Sequence, residues 1–285
     1  MEIAVLGAGT PTPSAKNWGS SFLVELEEQR IMFDCGPGAT SKMVKSGTLP
    51  TQVGAVFLTH LHFDHVVDVP ALLLSRWDQG AGLIDPIEVY GPPPTGRFVE
   101  DIVGPDGLFR DDIRARIELP GSQAVFMNRG GTLPRGRPRH DTTELDPGDE
   151  ARGEGWKVTA AYAQHAQPFL DCLAYRIDTD FGSVVFTGDT EPCESVVALA
   201  RGADMLFSMC WDLEESMKAN REHGGQTGST GAGQMAAEAG VDTLVLIHHG
   251  PQLDDAGPKA AALAEASSNF DGEVIFGDEG SKLRL

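Results

Sequence analysis

Residues 59–65 read Thr-His-Leu-His-Phe-Asp-His and follow directly on the apolar run Val53–Leu58. Three imidazoles and one carboxylate therefore fall within six positions, just past a stretch that reads as a buried strand. Imidazole nitrogen and carboxylate oxygen are the donor atoms that suit zinc and its first-row neighbours. His60 and His62 alternate, whereas Asp64 and His65 are adjacent, so one short loop can face two ions at once. The pattern points to a dinuclear metal site at the edge of a sheet.

Around this loop the chain alternates between strand and helix patterns. Strand-like runs fall at Glu2–Leu6, Phe22–Leu26, Arg30–Phe33, Val53–Leu58 and Ile87–Tyr90, with helical spacing at Ala39–Lys45, Val66–Trp77 and Arg97–Ile102. The second half repeats the theme. Its strands are expected near Trp156–Ala163, Cys172–Asp178, Val184–Phe186, Met205–Ser208, Thr243–Ile247 and Glu273–Ile275. Its helices are expected near Glu194–Ala200, Gly231–Ala239 and Lys259–Ala266. A length of 285 residues with 41% hydrophobic content supports one sizeable core, so a single domain over 1–285 is expected, with a loop insertion at 127–155. Within that insertion Arg129, Arg135, Arg137, Arg139 and His140 precede the acidic stretch Asp141–Glu154, which reads as an exposed loop of partly cancelling charge, or else a lid or partner-binding arm. The glycines of Leu6-Gly7-Ala8-Gly9-Thr10 lack a third partner, and Pro11 and Pro13 break the helix a dinucleotide would need, so this is a turn. No secretory leader pattern opens the sequence and no apolar run approaches a membrane span. The four cysteines form no Cys-x-x-Cys pair. The expectation is a cytoplasmic protein with no membrane partner.

His60-Leu61-His62-Phe63-Asp64-His65 matches the His-x-His-x-Asp-His signature of the metallo-β-lactamase fold, and the resemblance extends along the whole chain. Asp34-Cys35-Gly36-Pro37-Gly38 resembles the family's turn beneath the metal loop. His165 follows a strand-like run, Asp189 lies in Phe186-Thr187-Gly188-Asp189-Thr190, and His248 ends the run Leu244–Ile247. The resemblance implies an α+β fold, a four-layer αβ/βα sandwich. It implies that His60, His62 and His165 hold one ion, that Asp64, His65 and His248 hold the other, and that Asp189 bridges them. His249, next along the chain, is the weaker ligand candidate. The cofactors would be two divalent metal ions, Zn2+ first, with Mn2+ or Fe as alternatives. The activity would be that of a metal-dependent hydrolase whose nucleophile is a metal-bridging hydroxide, with Asp64 orienting it.

Gly228–His248 and Val89-Tyr90-Gly91-Pro92 resemble the ribonuclease Z and arylsulfatase-like branch of that family. Two departures bear on the substrate. The position where the branch often carries a further catalytic His falls on Gln226, which donates a hydrogen bond but no proton; His223 is the nearest substitute. Only 23 residues lie between His165 and Asp189, too few for the tRNA-gripping arm that bacterial ribonuclease Z proteins carry there. A net charge of −20 also opposes phosphate backbones. The expectation is therefore a small-molecule substrate with a good oxyanion leaving group (an aryl ester, ether, sulfate or lactone), with nucleic acid disfavoured. Trp77, Trp211, Phe63 and Phe169 are candidates for an apolar wall, and Asp212 and Glu191 for polar contacts. Two alternatives stand beside it: a ribonuclease Z-like phosphodiesterase, and a metal-binding subunit of a hetero-oligomeric hydrolase. A homo-oligomer is the default assembly, a hetero-oligomer the other.

Overall fold

The computed structural model describes residues 1–285. Alternating apolar runs pair into two seven-stranded sheets. The first contains β1 (Glu2–Gly7), β2 (Ser21–Leu26), β3 (Gln29–Phe33), β4 (Val53–Phe57), β5 (Ile87–Gly91) and β6 (His140–Glu144). The second contains β7 (Glu150–Gly153), β8 (Trp156–Tyr162), β9 (Leu173–Thr179), β10 (Gly182–Phe186), β11 (Met205–Met209), β12 (Thr243–Ile247) and β13 (Glu273–Phe276). The chain then returns to the first sheet, where β14 (Lys282–Arg284) pairs with β1. In the second sheet the strands run in the order β13 to β7, and in the first β14 precedes β1 to β6.

Strands β3 to β6 run parallel, as do β10 to β13. Parallel neighbours need crossover connections, and helices supply them. On the first sheet these are α1 (Ala39–Ser46), α2 (Phe63–Val66), α3 (Val69–Gly80), α4 (Thr95–Val103), α5 (Arg110–Glu118) and α6 (Pro120–Asn128). On the second they are α7 (Glu194–Ala200), α8 (Glu214–Asn220), α9 (Ser229–Ala239) and α10 (Ala256–Ser267). Side chains alternate accordingly. Val245 and Ile247 of β12 point between the sheets, while Leu244 and Leu246 meet α9 and α10. Phe22, Val24 and Leu26 of β2 point inward, while Leu23 faces the first helical layer. The result is the four-layer αβ/βα sandwich that the family resemblance implies.

Aromatic rings join the sheets. Phe33 stacks on Phe186 with centroids 4.3 Å apart and on Phe57 at 5.3 Å, and Phe186 also meets Phe207 at 4.9 Å. Tyr175 is fully buried and its hydroxyl donates to the Leu58 carbonyl (2.9 Å). Leu173 N donates to Thr59 O (2.8 Å). Both bonds fix the second sheet against the root of the His-rich loop.

The structure departs from the sequence reading in several places. The helix expected over Val66–Trp77 is two helices, with Pro70 in the first turn of the second, where its missing N–H costs nothing. Helices α5 and α8 have few apolar positions; α5 buries only Ile113 and is laced by Arg116–Asp112 and Arg114–Glu118 pairs. The expected loop insertion at 127–155 is instead built into the fold, because β6 and β7 close one edge of each sheet. Both are polar edge strands that lack an apolar alternation and are held by main-chain pairing to β5 and β8. The arginines there do not cancel against Asp141–Glu154. Arg129 and Arg135 reach Asp78 on α3 (2.6 and 2.9 Å), and Arg137 donates to the carbonyls of Val103 and Gly104.

Phe186 is 1% exposed at the centre of the stack. Phe186→Ala should lower unfolding stability by about 3–5 kcal/mol, read from chemical denaturation. A loss below about 1 kcal/mol would show that the two sheets do not share one core.

Candidate metal centre

Four strand ends deliver the candidate ligand residues. The His-rich loop leaves β4, His165 follows β8, Asp189 follows β10 and His248 follows β12. Two groups of donors form: His60, His62, His165 and Asp189 in one, Asp64, His65 and His248 in the other. Within each, ligand atoms lie within 4.8 Å of one another. His62 Nδ1 stands 2.9 Å from His60 Nε2 and 3.2 Å from His165 Nε2. Asp189 lies between the groups: its Oδ2 is 3.1 Å from His248 Nε2 and 3.7 Å from His165 Nε2, and its Oδ1 is 3.4 Å from His65 Nε2.

A layer of outer partners aims these rings. Asp34 accepts three hydrogen bonds: from Thr59 N (2.7 Å), from the Thr59 hydroxyl (2.9 Å) and from His65 Nδ1–H (2.7 Å). Because the Thr59 hydroxyl spends its proton on Asp34, it accepts from His60 Nδ1 (3.0 Å). His165 Nδ1–H donates to the Gly225 carbonyl (2.7 Å), and His248 Nδ1 pairs with Ser20 Oγ (3.0 Å). Four rings are thus anchored through Nδ1, which leaves Nε2 to face the cluster. His62 alone turns Nδ1 inward. The backbone is held in unusual shapes here. Asp34 and His248 have φ of 56° and 49°, in the left-handed region. Gly225 (φ +74°) passes so close to His165 that a Cβ would lie 2.5 Å from its carbonyl oxygen.

The electrostatics suit cations. Both Asp64 oxygens, Asp189 Oδ1 and His65 Nε2 are buried without a hydrogen-bond partner. A buried carboxylate left so costs several kcal/mol unless a positive charge meets it. Burial, reinforced by neighbouring imidazoles, holds the His60 and His62 pKa values below the usual range, so both rings are neutral and free to ligate. Burial also opposes charge on His65, but the Asp189 and Asp34 carboxylates outweigh it and hold its pKa well above the usual value. For Asp189 burial is likewise outweighed, by His248 and His65, and its carboxyl is held well below the usual range. The donor set therefore fits two divalent cations.

Residues 29–249 match the family described as the beta-lactamase superfamily domain, a span that includes every ligand above. The chain belongs to the beta-lactamase superfamily. A protein named ribonuclease Z from Mycobacterium sp. (strain KMS) is 31% identical over 286 residues, which covers 98% of this chain and 94% of that protein. The metallo-beta-lactamase fold protein YhfI from Bacillus subtilis superposes with a TM-score of 0.74 at 20% identity, covering 100% and 99% of the two chains. Human tRNase Z, short form, gives 0.70 at 20% identity and the same coverage. These two structures bear on fold alone. As a superfamily member with ribonuclease Z relatives, the protein is a metal-dependent hydrolase.

The relatives correct one expectation. A small-molecule substrate with nucleic acid disfavoured is not upheld, because the end-to-end relatives carry the name ribonuclease Z. The argument from net charge failed because −20 is a sum over the whole surface, whereas a strand meets only the groups near the site.

Other candidates fall variously. His223 is exposed and its Nε2 sits 3.1 Å from Glu214 Oε1, apart from both donor groups. Gln226 directly follows Gly225, and its Oε1 is buried without a partner. Glu191 acts through Gly225, whose N–H it accepts (2.8 Å), and Asp212 accepts from Leu213 N. His249 joins neither group; it is buried against Phe276 with burial lowering its pKa to about 4. Trp211 donates to Glu222 (3.1 Å), and Trp77 lies on the last turn of α3, away from the cluster. The bracing roles of Ser20 and Gly225 carry no signal in the sequence. That of Thr59 is hinted at only by its place beside His60.

Asp34→Asn keeps a side chain that tolerates the left-handed backbone and should weaken metal binding about 10–100-fold, measured by competition with a chromophoric chelator. A cation at His65 Nε2 must displace a proton at neutral pH, so affinity should rise between pH 6 and 8, with proton release in weak buffer. A flat profile with no released protons would rule out the charged His65.

Proposed function

We propose that this chain is a ribonuclease Z-like phosphodiesterase that cleaves RNA at a dinuclear metal centre. The observation that carries the reading is the 31% identity to a ribonuclease Z over 98% of the chain, joined to a ligand set complete in both groups. His60, His62 and His165 would hold one cation, Asp64, His65 and His248 the other, with Asp189 shared. Nitrogen and oxygen donors in this ratio favour zinc, with manganese or iron as competitors. When bound, the cations supply Lewis acidity at the scissile phosphate and make water at the site more acidic. Four free cysteines suit a reducing cytoplasm. No helix is long and apolar enough to cross a membrane.

The chain's own residues divide the remaining work. Asp64 offers a second carboxylate oxygen that can orient the attacking water. Gln226 can donate an N–H to a phosphate or departing oxygen, but as an amide it transfers no proton. The proton on the leaving oxygen then comes from solvent. Phe63, 59% exposed between His62 and Asp64, and Phe169, 89% exposed just after His165, present ring faces beside the metal loops. Splayed RNA bases stack on such rings. This replaces the aryl-pocket role first considered for them.

The test is cleavage of a precursor tRNA transcript by protein loaded with zinc or manganese, beside unstructured RNA and DNA. Metal-dependent cleavage that His62→Ala abolishes is expected. Silence on every RNA, with both metals measured in place, would refute the proposal. Phe63→Ala and Phe169→Ala should each weaken RNA binding by about 1–3 kcal/mol per stacked base, while leaving metal content unchanged. Gln226→Ala should slow cleavage about 10–100-fold, the worth of one hydrogen bond to a charged group.

A further inference from the structure

A cavity lies outside the metal centre, against the last turn of α3. That helix carries the chain about 16 Å from its first residue, beside the His-rich loop. The cavity measures about 280 Å³, and Arg76, Arg135, Arg137 and Arg139 line it together with apolar residues such as Leu73 and Phe126. Asp85 is the one carboxylate in the lining. In a chain of net charge −20, four cations around so small a volume, against one acid, are an unusual concentration of positive charge.

These arginines are built into place. Arg135 is the most enclosed, with its side chain 3% exposed. Its guanidinium lies 4.0 Å from the Trp77 ring centre and 5.0 Å from that of Phe126. Its Nη2 donates to Asp78 (2.9 Å), yet its Nε is buried with no partner. Arg76, also buried, gives Nε to the Val53 carbonyl and Nη1 to that of Asp85. Arg137 and Arg139 each spend Nη2 on main-chain carbonyls. Asp78 is already shared by Arg116, Arg129 and Arg135, so it leaves the cavity's charge largely unanswered.

We propose that this cavity binds a small organic phosphate, with its dianionic head on the arginines and its body against the apolar wall. Fixed guanidinium forks match phosphate oxygens in pairs. The net positive lining favours a dianion over a carboxylate. The volume is at the small end of ligand sites and does not admit a polynucleotide strand. The site is independent of the metal centre and stands whether or not the chain cleaves RNA.

The probe is phenylphosphonate, a phosphate-monoester analogue that resists hydrolysis, titrated calorimetrically into the metal-loaded protein. Saturable binding is expected, with inorganic phosphate weaker because it leaves the apolar wall uncovered. Arg135→Gln and Arg137→Gln should each weaken phenylphosphonate at least about tenfold, the loss of one charge-assisted hydrogen bond. His62→Ala and the surface variant Arg97→Gln should leave a binding event of the same affinity. Should Arg135→Gln loosen the fold, Arg137→Gln, at a half-buried position, keeps the test. No saturation at millimolar probe, indifference to Arg137→Gln, or loss of all binding in His62→Ala would overturn the proposal. Equal competition by a 5′-phosphorylated oligoribonucleotide would assign the cavity to a strand end and overturn the small-molecule reading.

Discussion

Three carboxylates, of Asp34, Asp64 and Asp189, are buried within a few ångströms of five imidazoles at the junction of the two sheets. Charge in such a place must be met by hydrogen bonds or by opposite charge. Asp34 is met in full by Thr59 and His65. Asp64 makes no hydrogen bond through either oxygen, and Asp189 is answered only by the facing imidazoles. This imbalance is what makes the site a cation site, since two divalent ions would satisfy the unpartnered oxygens and the imidazole lone pairs together.

The fold exists around that junction. Parallel strands bring β4, β10 and β12 to the same rim, and the Phe33–Phe186 stack with the Tyr175–Leu58 bond holds the rims of the two sheets together. Strain gathers at the same place. Asp34 and His248 adopt left-handed backbones that ordinary side chains avoid, and their surroundings compel it. A shift of either sheet would separate His60, His62 and His65 from His165, Asp189 and His248.

Charge operates on two scales in this molecule. The total of −20 misdirects the choice of substrate, because a sum over the surface says nothing of where cations sit. Arg76, Arg135, Arg137 and Arg139 are spread over more than sixty positions, and only folding gathers them around one cavity. The same folding turns Asn128–Glu154 from an apparent loop of cancelling charge into two sheet edges and a set of arginine anchors on α3.

The sequence by itself marked the candidate donor residues of the His-rich loop, and through the family resemblance it implied the remaining donors and the layered fold. Metal chemistry admits few side-chain types, so His60, His62, Asp64 and His65 are recognisable by kind and spacing alone. Strands such as Leu244–Ile247, and helices with an apolar face such as Gly231–Ala239, carry their burial as a period. The polar edge strands and α5 were illegible because their stability comes from pairing and surface contacts, with no apolar period to mark them. Tertiary structure alone decided that Asp34 braces His65 across 31 positions, that Gly225 and Ser20 aim His165 and His248, and that His223 pairs with Glu214. Those roles depend on distance and direction between segments far apart in the chain, and a linear pattern holds no record of either.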